Sequence, residues 1–333
     1  MAADNNCRRF LPCEQLAGML AASVGRNRAD ALLLSGGLDS AVIASIARPA
    51  YTVTAGYGAD APDLAYARQV AQKYSQRHVE VVFAEDEMGR MAEQVIRTFR
   101  TFDPIEIRNS CVALAGLEQA KKDGHNRVMT GDGGDELFAG YNYLSRYHDD
   151  PARLQQELER LWKVMHFSSA ELGRLAGVQV LAPFLDAEFA AYAKSLDVAH
   201  KVGQRNGRTW GKFILRACFE GELGPLVAWR EKMAQEQGGA TGRFHDFVES
   251  MIDDATFANR KKTAESEGVA IRSKEHLNYY AIFRSYFPPP REGREGHCRL
   301  GCPACGACMA ETSNSKFCRT CGAFPVSPVP LLL

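Results

Sequence analysis

The sequence predicts an α/β protein with a parallel β-sheet, a helical second half and a small cysteine-rich unit near the C-terminal end. Short apolar runs alternate with helix-length segments as far as about residue 150, and helical patterns dominate after it. Six of the ten cysteines fall between Cys298 and Cys321. Strands that alternate with helices of about a dozen residues form right-handed βαβ units, so the sheet is expected to be parallel.

The elements follow from local patterns. Apolar runs of four to six residues predict strands at Ala31–Leu34 (ALLL), Tyr51–Gly56 (YTVTAG), Val79–Ala84 (VEVVFA) and Arg127–Gly131 (RVMTG). Helical spacing of apolar residues predicts helices that include Leu16–Val24, Ala41–Ala47, Asp63–Tyr74 and Ala152–Met165.

At 333 residues the chain exceeds the size at which a single core stops growing, so two or three units are expected. Residues 1–150 are predicted to form the α/β domain, and residues 151–287 are predicted to form a helical part packed on the sheet. The proline- and glycine-rich stretch PPPREGREG, residues 288–296, is predicted to be a linker. Residues 297–326 then form the cysteine-rich unit.

The composition excludes some classes of partner. Forty basic residues balance forty acidic ones, so the net charge gives no general attraction to nucleic acid or an anionic membrane. No apolar stretch approaches the roughly 20 residues that span a bilayer, and the start of the chain lacks the apolar region of a secretory signal. We expect a cytoplasmic protein without a membrane partner, and RNA binding is not favoured.

The stretch SGGLDS, Ser35–Ser40, lies between a predicted strand and a predicted helix. In that position backbone N–H groups and the helix N-terminus can bind phosphate oxygens, and the serines add hydroxyl donors. The alternative is a serine-capped tight turn. The stretch has no lysine of the G-x-x-x-x-G-K-[ST] kind, which argues against γ-phosphate chemistry of that type.

A second glycine-rich stretch, TGDGGDELFAGY at Thr130–Tyr141, follows the predicted strand RVMTG. In a parallel sheet its carboxylates Asp132, Asp135 and Glu136 emerge beside the SGGLDS loop. Three carboxylates next to phosphates repel one another unless a cation lies between them. Mg²⁺ is the expected cation, although an acidic glycine-rich loop taken alone is more often a solvated turn.

A third stretch, WREKMAQEQGGATGRF at Trp229–Phe244, places Arg230 and Lys232 where they can reach a phosphate or a developing oxyanion. The Gly238–Gly239 pair can form a flexible closing loop. Taken alone, basic residues at a helix end usually lie on the solvent-exposed surface and have no role in a site.

Together these stretches resemble the synthetase domain of the asparagine synthase family, including its β-lactam synthetase relatives. SGGLDS, the D-x-x-x-A run from Asp63, TGDGGDELFAGY, the PFLD of Pro183–Asp186 and the R-x-K of Arg230–Lys232 occur in the family order. The resemblance runs from about Pro12 to Phe287. It implies the PP-loop fold, also called adenine nucleotide alpha hydrolase-like, and cleavage of ATP between the α- and β-phosphates.

The resemblance also implies roles for individual residues. Lys232, Asp132 and Asp135 are expected to be catalytic, with Lys232 contacting the phosphates while a substrate carboxylate is adenylated. Asp39, Asp132 and Asp135 are expected to hold Mg²⁺. The residues expected to contact ATP or its pyrophosphate are Leu34, Ser35, Gly36, Gly37, Asp39, Ser40, Gly56, Gly131 and Glu136. Arg108 resembles a family arginine of the active-site helix region.

Some positions depart from the family pattern. Asp132 stands where the family usually has a glutamate, and Leu181 replaces the arginine two positions before PFLD, which leaves the carboxylate substrate open. Only 34 residues precede the SGGLDS loop, and the second residue is Ala2 instead of a nucleophilic cysteine. We therefore expect ammonia, an amine of the substrate or a separate amidotransferase or other nitrogen-donor protein to supply the nitrogen.

The cysteine cluster predicts a zinc ribbon. Cys302-x2-Cys305 and Cys318-x2-Cys321 are separated by twelve residues, a spacing that suits four thiolates around one Zn²⁺. Such clustering indicates metal binding more than disulfides. Cys298 and Cys308 are surplus to one zinc, so alternative ligation, an iron–sulfur cluster or a reactive thiol stays open.

Two other functions stay open beside the amide-forming ligase. Transfer RNA sulfurtransferases are also PP-loop proteins, and some carry C-x-x-C zinc ribbons, but they need reactive or cluster-binding cysteines. Only Cys111 and Cys218 lie in the matched region after the loop. The other alternative is a non-catalytic nucleotide-binding protein whose ribbon docks a partner.

Overall fold

The computed structural model describes residues 12–293, 298–309 and 316–330. Residues 294–296 of the predicted linker, and residues 297 and 310–315 of the predicted ribbon, lie outside this part. The α-helices are α1 Cys13–Arg26, α2 Leu38–Ala47, α3 Pro62–Tyr74, α4 Glu85–Phe99, α5 Pro104–Lys122, α6 Gly134–Leu137, α7 Pro151–Val164, α8 Ser169–Ala176, α9 Ala187–Ser195, α10 Phe213–Leu223, α11 Pro225–Ala228, α12 Gln235–Gly238, α13 Arg243–Met251, α14 Asp254–Ser266 and α15 Lys274–Arg284. The strands are β1 Ala31–Leu33, β2 Tyr51–Tyr57, β3 Arg77–Phe83, β4 Arg127–Met129, β5 Gln179–Leu181, β6 Val202–Arg205, β7 Arg208–Gly211, β8 Leu300–Gly301 and β9 Val329–Pro330.

The chain divides into two compact units, each of which draws on separate stretches of sequence. The first comprises Met1–Val82 and Gly116–Gly239, and the second comprises Phe83–Ala115 and Ala240–Leu333. The predicted domains were continuous stretches of sequence that ended at residues 150, 287 and 296, whereas each observed unit combines two separate stretches. The segmental division stays a prediction.

A five-stranded parallel sheet in the order β3-β2-β1-β4-β5 forms the centre of the first unit. Ala31 of β1 pairs with Tyr51 on one side and with Val128 on the other, so β1 is central. All seven residues of β2 are buried, as expected for a strand covered on both faces. The predicted α/β fold class with a parallel sheet is confirmed.

Two strand features of the first unit were not predicted. β5 adds to the edge of the sheet beside β4, and β6 and β7 form an antiparallel hairpin. Asn206 and Gly207 connect the hairpin strands, and both have positive φ, 51° and 72°. An Asn-Gly pair between short strands is a strong hairpin signal, because a two-residue turn of this kind needs positive φ at both positions.

The core of the first unit is built around α2. Leu38, Ala41, Val42, Ile43 and Ala44 of this helix are buried, so α2 is apolar on nearly every side. Helices α1, α3 and α10 pack against it. The helix that begins at the SGGLDS loop is therefore held by neighbours all round.

The second unit is mostly helical. α4, α13 and α14 pack against α15. Phe102, which precedes α5, contacts the rings of His276, Tyr280 and Phe283 on α15, at centroid distances of 5.2, 4.9 and 5.2 Å. In the part of the chain that the structure describes, no helix combines the length and the apolar character needed to cross a membrane.

Candidate functional site

The two predicted glycine-rich loops meet in the first unit. The SGGLDS loop leaves β1 and the TGDGGDELFAGY loop leaves β4, and these strands are paired neighbours in which Leu32 lies opposite Met129. A Cβ atom on Gly134 would overlap the carboxylate of Asp39, and a Cβ atom on Gly131 would lie 2.9 Å from the backbone nitrogen of Ser40. The loops approach so closely that only glycine fits at these positions.

The SGGLDS loop is held together by its serines. The Ser40 hydroxyl accepts a hydrogen bond from the backbone N–H of Ser35 at 3.1 Å and lies 3.1 Å from the Ser35 hydroxyl. Gly37 caps the N-terminus of α2 without a side-chain hydrogen bond. The first N–H groups of α2 therefore emerge in this loop, and Ser35 is exposed beside them.

Lys212 links the two loops, and the sequence did not single it out. Its Nζ lies 2.5 Å from Asp39 Oδ2 and 2.7 Å from Asp135 Oδ1. Lys232 Nζ lies 2.8 Å from the other oxygen of Asp135. The Lys212 side chain is only 4% exposed, whereas that of Lys232 is 29% exposed. An ammonium group of the chain itself therefore lies between these two carboxylates.

This charge cluster sets the protonation of its members. Burial raises the pKa of Asp135, but the ammonium groups of Lys212 and Lys232 lower it more, so its pKa lies well below the ordinary range. Burial raises the pKa of Asp39 despite its contact with Lys212. Burial lowers the pKa of Lys212, and its two carboxylates raise it by more. Lys212 and Asp135 are therefore both charged at neutral pH.

Arg230 is placed differently from the expectation that it reaches a phosphate. Its NH2 group donates to Asp63 Oδ1 at 2.7 Å, and its NH1 group donates to the carbonyl of Gly36 at 2.6 Å. The guanidinium also lies 3.9 Å from the centre of the Tyr66 ring. Because Arg230 is buried and fully engaged, its role here is to hold the SGGLDS loop against α3.

Arg216, on α10, supports the segment that carries Arg230 and Lys232. Its guanidinium donates to the carbonyls of Gly211, Ala228 and Arg230 at 2.9, 2.7 and 2.9 Å. Burial lowers its pKa to about 10, which still leaves it charged. The carbonyls it binds fix the backbone two residues before Lys232.

Asp132 and Glu136 lie in the second loop but have their own partners. Asp132 accepts hydrogen bonds from the hydroxyls of Thr130 and Ser169, and burial raises its pKa. Glu136 Oε1 accepts from Tyr141 at 2.5 Å. Among the described residues, Asp39, Asp132 and Asp135 do not form a group of three carboxylates close enough to share one ion.

The other predicted ATP contacts are backbone positions near the strand ends. Leu34 is 1% exposed, and its carbonyl accepts a hydrogen bond from the Thr54 hydroxyl. Gly56 lies in β2, where a Cβ atom would come 2.5 Å from that of Ala61. Arg108 lies in the second unit, where its guanidinium contacts Glu275 at 2.7 Å.

Lys212 and Arg216 were missed because no motif marks them. Lys212 directly precedes α10 in a left-handed conformation, with φ 54°. It follows Asp39 by 173 residues, so its pairing with that carboxylate depends entirely on the tertiary fold.

Four buried cysteines near the C-terminal end lie close together. All the Sγ atoms of Cys302, Cys305, Cys318 and Cys321 lie within 4.8 Å of one another. The Sγ distance is 3.8 Å between Cys302 and Cys321 and 3.7 Å between Cys305 and Cys318. Four sulfurs around a tetrahedral Zn²⁺ at about 2.3 Å would be about 3.8 Å apart, so the cluster fits such an ion.

Other cysteines bear on two alternatives left open by the sequence, namely further metal ligation by Cys298 and Cys308 and sulfur transfer by Cys111 or Cys218. Cys298 and Cys308 form a disulfide, with Cα atoms 5.7 Å apart, so the cluster combines four free thiols with one disulfide instead of binding metal throughout. Cys218 is joined to Cys13, and Cys111 is completely buried. Neither Cys111 nor Cys218 therefore offers an accessible thiol of the kind that sulfur transfer requires.

Comparison with known proteins shows which family this sequence resembles. The sequence profile of the family described as asparagine synthase matches residues 15–174 and 170–299. The glutamine-hydrolysing asparagine synthetase of Gallus gallus is 31% identical over 280 residues, which cover 77% of this chain and 48% of that protein. The proteins of the same name from Homo sapiens and, as form 1, from Lotus japonicus are 29% and 28% identical, with 48% and 47% of their lengths covered. The chain spans about half the length of these relatives, and it belongs to the asparagine synthase family.

Proposed function

We propose that this protein is an ATP-dependent ligase that adenylates a substrate carboxylate, releases pyrophosphate, and joins the acyl group to ammonia or an amine with release of AMP. Family membership supports an amide-forming, ATP-dependent ligase. The observation that carries the finer proposal is the cluster of Lys212, Lys232, Asp39 and Asp135 where the two glycine-rich loops meet.

The SGGLDS loop suits the pyrophosphate part of ATP. Among the described residues no side chain caps the N-terminus of α2, so its first backbone N–H groups are available to phosphate oxygens, and the exposed Ser35 adds a hydroxyl. The buried Ser40 hydroxyl holds the loop together. Arg230 holds the loop by donating to the Gly36 carbonyl and to Asp63, so its guanidinium is not the group that binds phosphate. The loop therefore binds phosphate oxygens through neutral donors.

Lys232 and Lys212 supply the positive charge. Lys232 is partly exposed, and among the described residues its ion-pair partner is Asp135, so it is the group that can turn to the phosphates as negative charge develops at the α-phosphorus. Lys212 is buried between two carboxylates, and it keeps Asp39 and Asp135 in place while compensating their charge. The two lysines thus have separate tasks.

The residues also fit Mg²⁺. Oδ1 of Asp39 is buried, and it lacks a hydrogen-bond partner in the described part of the chain, which leaves an oxygen available to a hard cation. Asp39 and Asp135 would hold the ion together with phosphate oxygens, and the bound ion would neutralise phosphate charge. Asp132, the predicted third ligand, is held by Thr130 and Ser169. The Mg²⁺ proposal rests on Asp39 and Asp135.

We propose that the four cysteines bind one Zn²⁺. The two knuckles are built alike, because the N–H of Gly306 donates to the Cys302 carbonyl and the N–H of Gly322 donates to the Cys318 carbonyl, both at 2.8 Å. Elemental analysis of the purified chain should find one zinc per chain. Iron with acid-labile sulfide in place of zinc would contradict this.

The carboxylate and the nitrogen source are to be found by experiment. We would measure exchange of labelled pyrophosphate into ATP with a panel of amino acids and other carboxylates, and with transfer RNA as the competing substrate. Exchange that depends on a carboxylate supports the ligase. Exchange that depends only on RNA, or no exchange with any member of the panel, contradicts it.

The same assay tests the assigned residues. Lys232→Ala and Asp135→Asn should each reduce exchange at least about 100-fold, whereas Lys163→Ala, which removes an exposed lysine from α7, should leave it unchanged. Full activity of both site variants would show that the chemistry lies elsewhere. With the carboxylate known, amide formation from ammonium, glutamine and simple amines would identify the nitrogen donor.

A further inference from the structure

A buried carboxylate in the second unit joins three helices. Glu275 of α15 is 1% exposed, and its Oε2 lies 2.7 Å from Arg108 NH1 on α5 and 3.1 Å from His245 Nδ1 on α13. A buried carboxylate is stable only while its partners stay in place, because the loss of one partner leaves an uncompensated charge in the protein interior. The geometry of this cluster therefore depends on where α5 and α15 begin.

The start of α5 rests on the knuckle formed by Cys318–Cys321. The N–H of Phe102 donates to the Thr320 carbonyl at 2.8 Å, and the Thr101 hydroxyl donates to the Arg319 carbonyl at 2.7 Å. Asp103 Oδ1 accepts from the N–H of Ile105 at 3.1 Å, in the first turn of α5. The segment before α5 is thus hydrogen-bonded to the knuckle backbone.

The start of α15 rests on the same knuckle. The guanidinium of Arg272 donates to the Cys321 carbonyl at 2.6 Å, and the N–H of Arg272 donates to His276 Nδ1 at 3.2 Å. The His276 ring stacks on Phe102 at 5.2 Å. One knuckle therefore contacts the residues that precede both helices.

The packing at this contact is close. Gly322 follows the last cysteine of the knuckle with φ 71°, and a Cβ atom there would overlap the Asp103 carboxylate. Gly306 occupies the same place in the other knuckle with φ 76°. The two glycines share a backbone conformation, and the contact with Asp103 is a feature of Gly322.

We propose that the metal-loaded Cys318–Cys321 knuckle positions the first turns of α5 and α15, and through them the Arg108–Glu275–His245 cluster. The carbonyls of residues 319–321 point at these helices only while the knuckle is closed. Such a small ribbon has little core of its own, so the ion supplies the closure. The inference rests on metal binding by the four cysteines and does not depend on the ligase reaction.

Hydrogen exchange of the full chain tests the proposal. The chain is compared as purified, with its metal content measured, and after a chelator has removed the metal. Peptides covering residues 101–112 and 272–283 should exchange at least about tenfold faster without metal, while a peptide covering residues 31–47 of the first unit should not change. Unchanged protection of the first two peptides after proven metal loss overturns the proposal, and so does a chain that binds no zinc when Zn²⁺ is added.

Matched variants separate positioning from general stability. Thr101→Val removes the hydroxyl contact with the Arg319 carbonyl and should speed exchange of residues 101–112 about threefold or more with zinc still bound. Thr101→Ser should restore protection because it keeps the hydroxyl. Gly322→Ala should act like Thr101→Val, and Gly306→Ala should leave residues 101–112 protected. Equal effects of the two glycine variants, or no effect of Thr101→Val, contradict the proposal.

The position of the Arg108–Glu275–His245 cluster can be followed directly through the ring of His245. The ring signals of His245 in an NMR spectrum, assigned with His245→Gln, should move on metal removal and in Thr101→Val. The ring signals of His148, in the first unit, should not move. Signals of His245 that stay fixed while the metal is lost would overturn the link between the knuckle and the cluster.

Discussion

Replacing Lys212 by methionine tests the electrostatics of the site most directly. The change removes the ammonium that lies 2.5 Å from Asp39 and 2.7 Å from Asp135 and keeps much of the side-chain volume. Lys232 still compensates Asp135 at 2.8 Å, so Asp39 becomes the uncompensated charge. Losing one partner of a buried ion pair typically lowers the free energy of unfolding by about 3–5 kcal/mol.

Proton uptake by Asp39 limits this loss. Protonating a carboxyl of ordinary pKa about 3.9 costs about 4 kcal/mol at pH 7 and about 1.5 kcal/mol at pH 5, at about 1.36 kcal/mol per pH unit. Burial already raises the pKa of Asp39, and without Lys212 it rises further above its unfolded value, so the native state of the variant binds more protons and its stability falls as the pH rises. We expect a loss of about 3–4 kcal/mol at pH 7 that shrinks to about 1–2 kcal/mol at pH 5.

Urea unfolding followed by tryptophan fluorescence measures the loss. All three tryptophans, Trp162, Trp210 and Trp229, lie in the same unit as Lys212, so the signal reports the relevant unit. Lys163→Met is the control, and it should change the free energy of unfolding by less than about 0.5 kcal/mol. A loss below about 1 kcal/mol at pH 7, or one that is as large at pH 5, would refute the reasoning.

Three further predictions follow from the same contacts. Lys232→Ala should reduce pyrophosphate exchange at least about 100-fold, because it removes a cation that stabilises the developing negative charge. The same variant should lower the free energy of unfolding by less than about 1 kcal/mol, because Lys212 still compensates the charge of Asp135. A large loss of stability would contradict this. Arg216→Met leaves three carbonyls without their donor and should lower the free energy of unfolding by more than about 2 kcal/mol in urea; a smaller loss would mean that water replaces the guanidinium. Cys318→Ser should cost the chain its zinc, measured by elemental analysis, whereas Cys111→Ser should not, and zinc retained by the first variant would exclude Cys318 as a ligand.

Local patterns predicted the elements that form the nucleotide end of the sheet. β1, β2, β3 and β4 occur where short apolar runs predicted them, within a few residues at each end. Such runs suit β1, β2 and β4, which lie inside the sheet and are covered on both faces, whereas β3 is an edge strand in which only Phe83 is buried. β5 and the β6–β7 hairpin were missed, the hairpin although Asn206–Gly207 marks it. Its strands carry charged residues such as Arg205 and Arg208, which hid the pattern.

The sequence likewise predicted some residues of the candidate site correctly and misplaced another. Motifs and spacing located Asp39, Asp135 and Lys232, and the structure brings all three together. Asp132 was expected in the same group, but the hydroxyls of Thr130 and Ser169 hold its carboxylate. The role of each residue in catalysis stays a prediction for the exchange assay.

The sequence alone determined the βαβ order, the two glycine-rich loops and the paired C-x-x-C knuckles, because each depends on residues that are neighbours in the chain. Only the tertiary structure decided that Lys212 is the cation between Asp39 and Asp135, and that the Cys318–Cys321 knuckle contacts the residues before α5 and α15. These contacts join residues 49 to 218 positions apart. At such separations, the packing of the whole chain decides which side chains meet, and no local pattern records it.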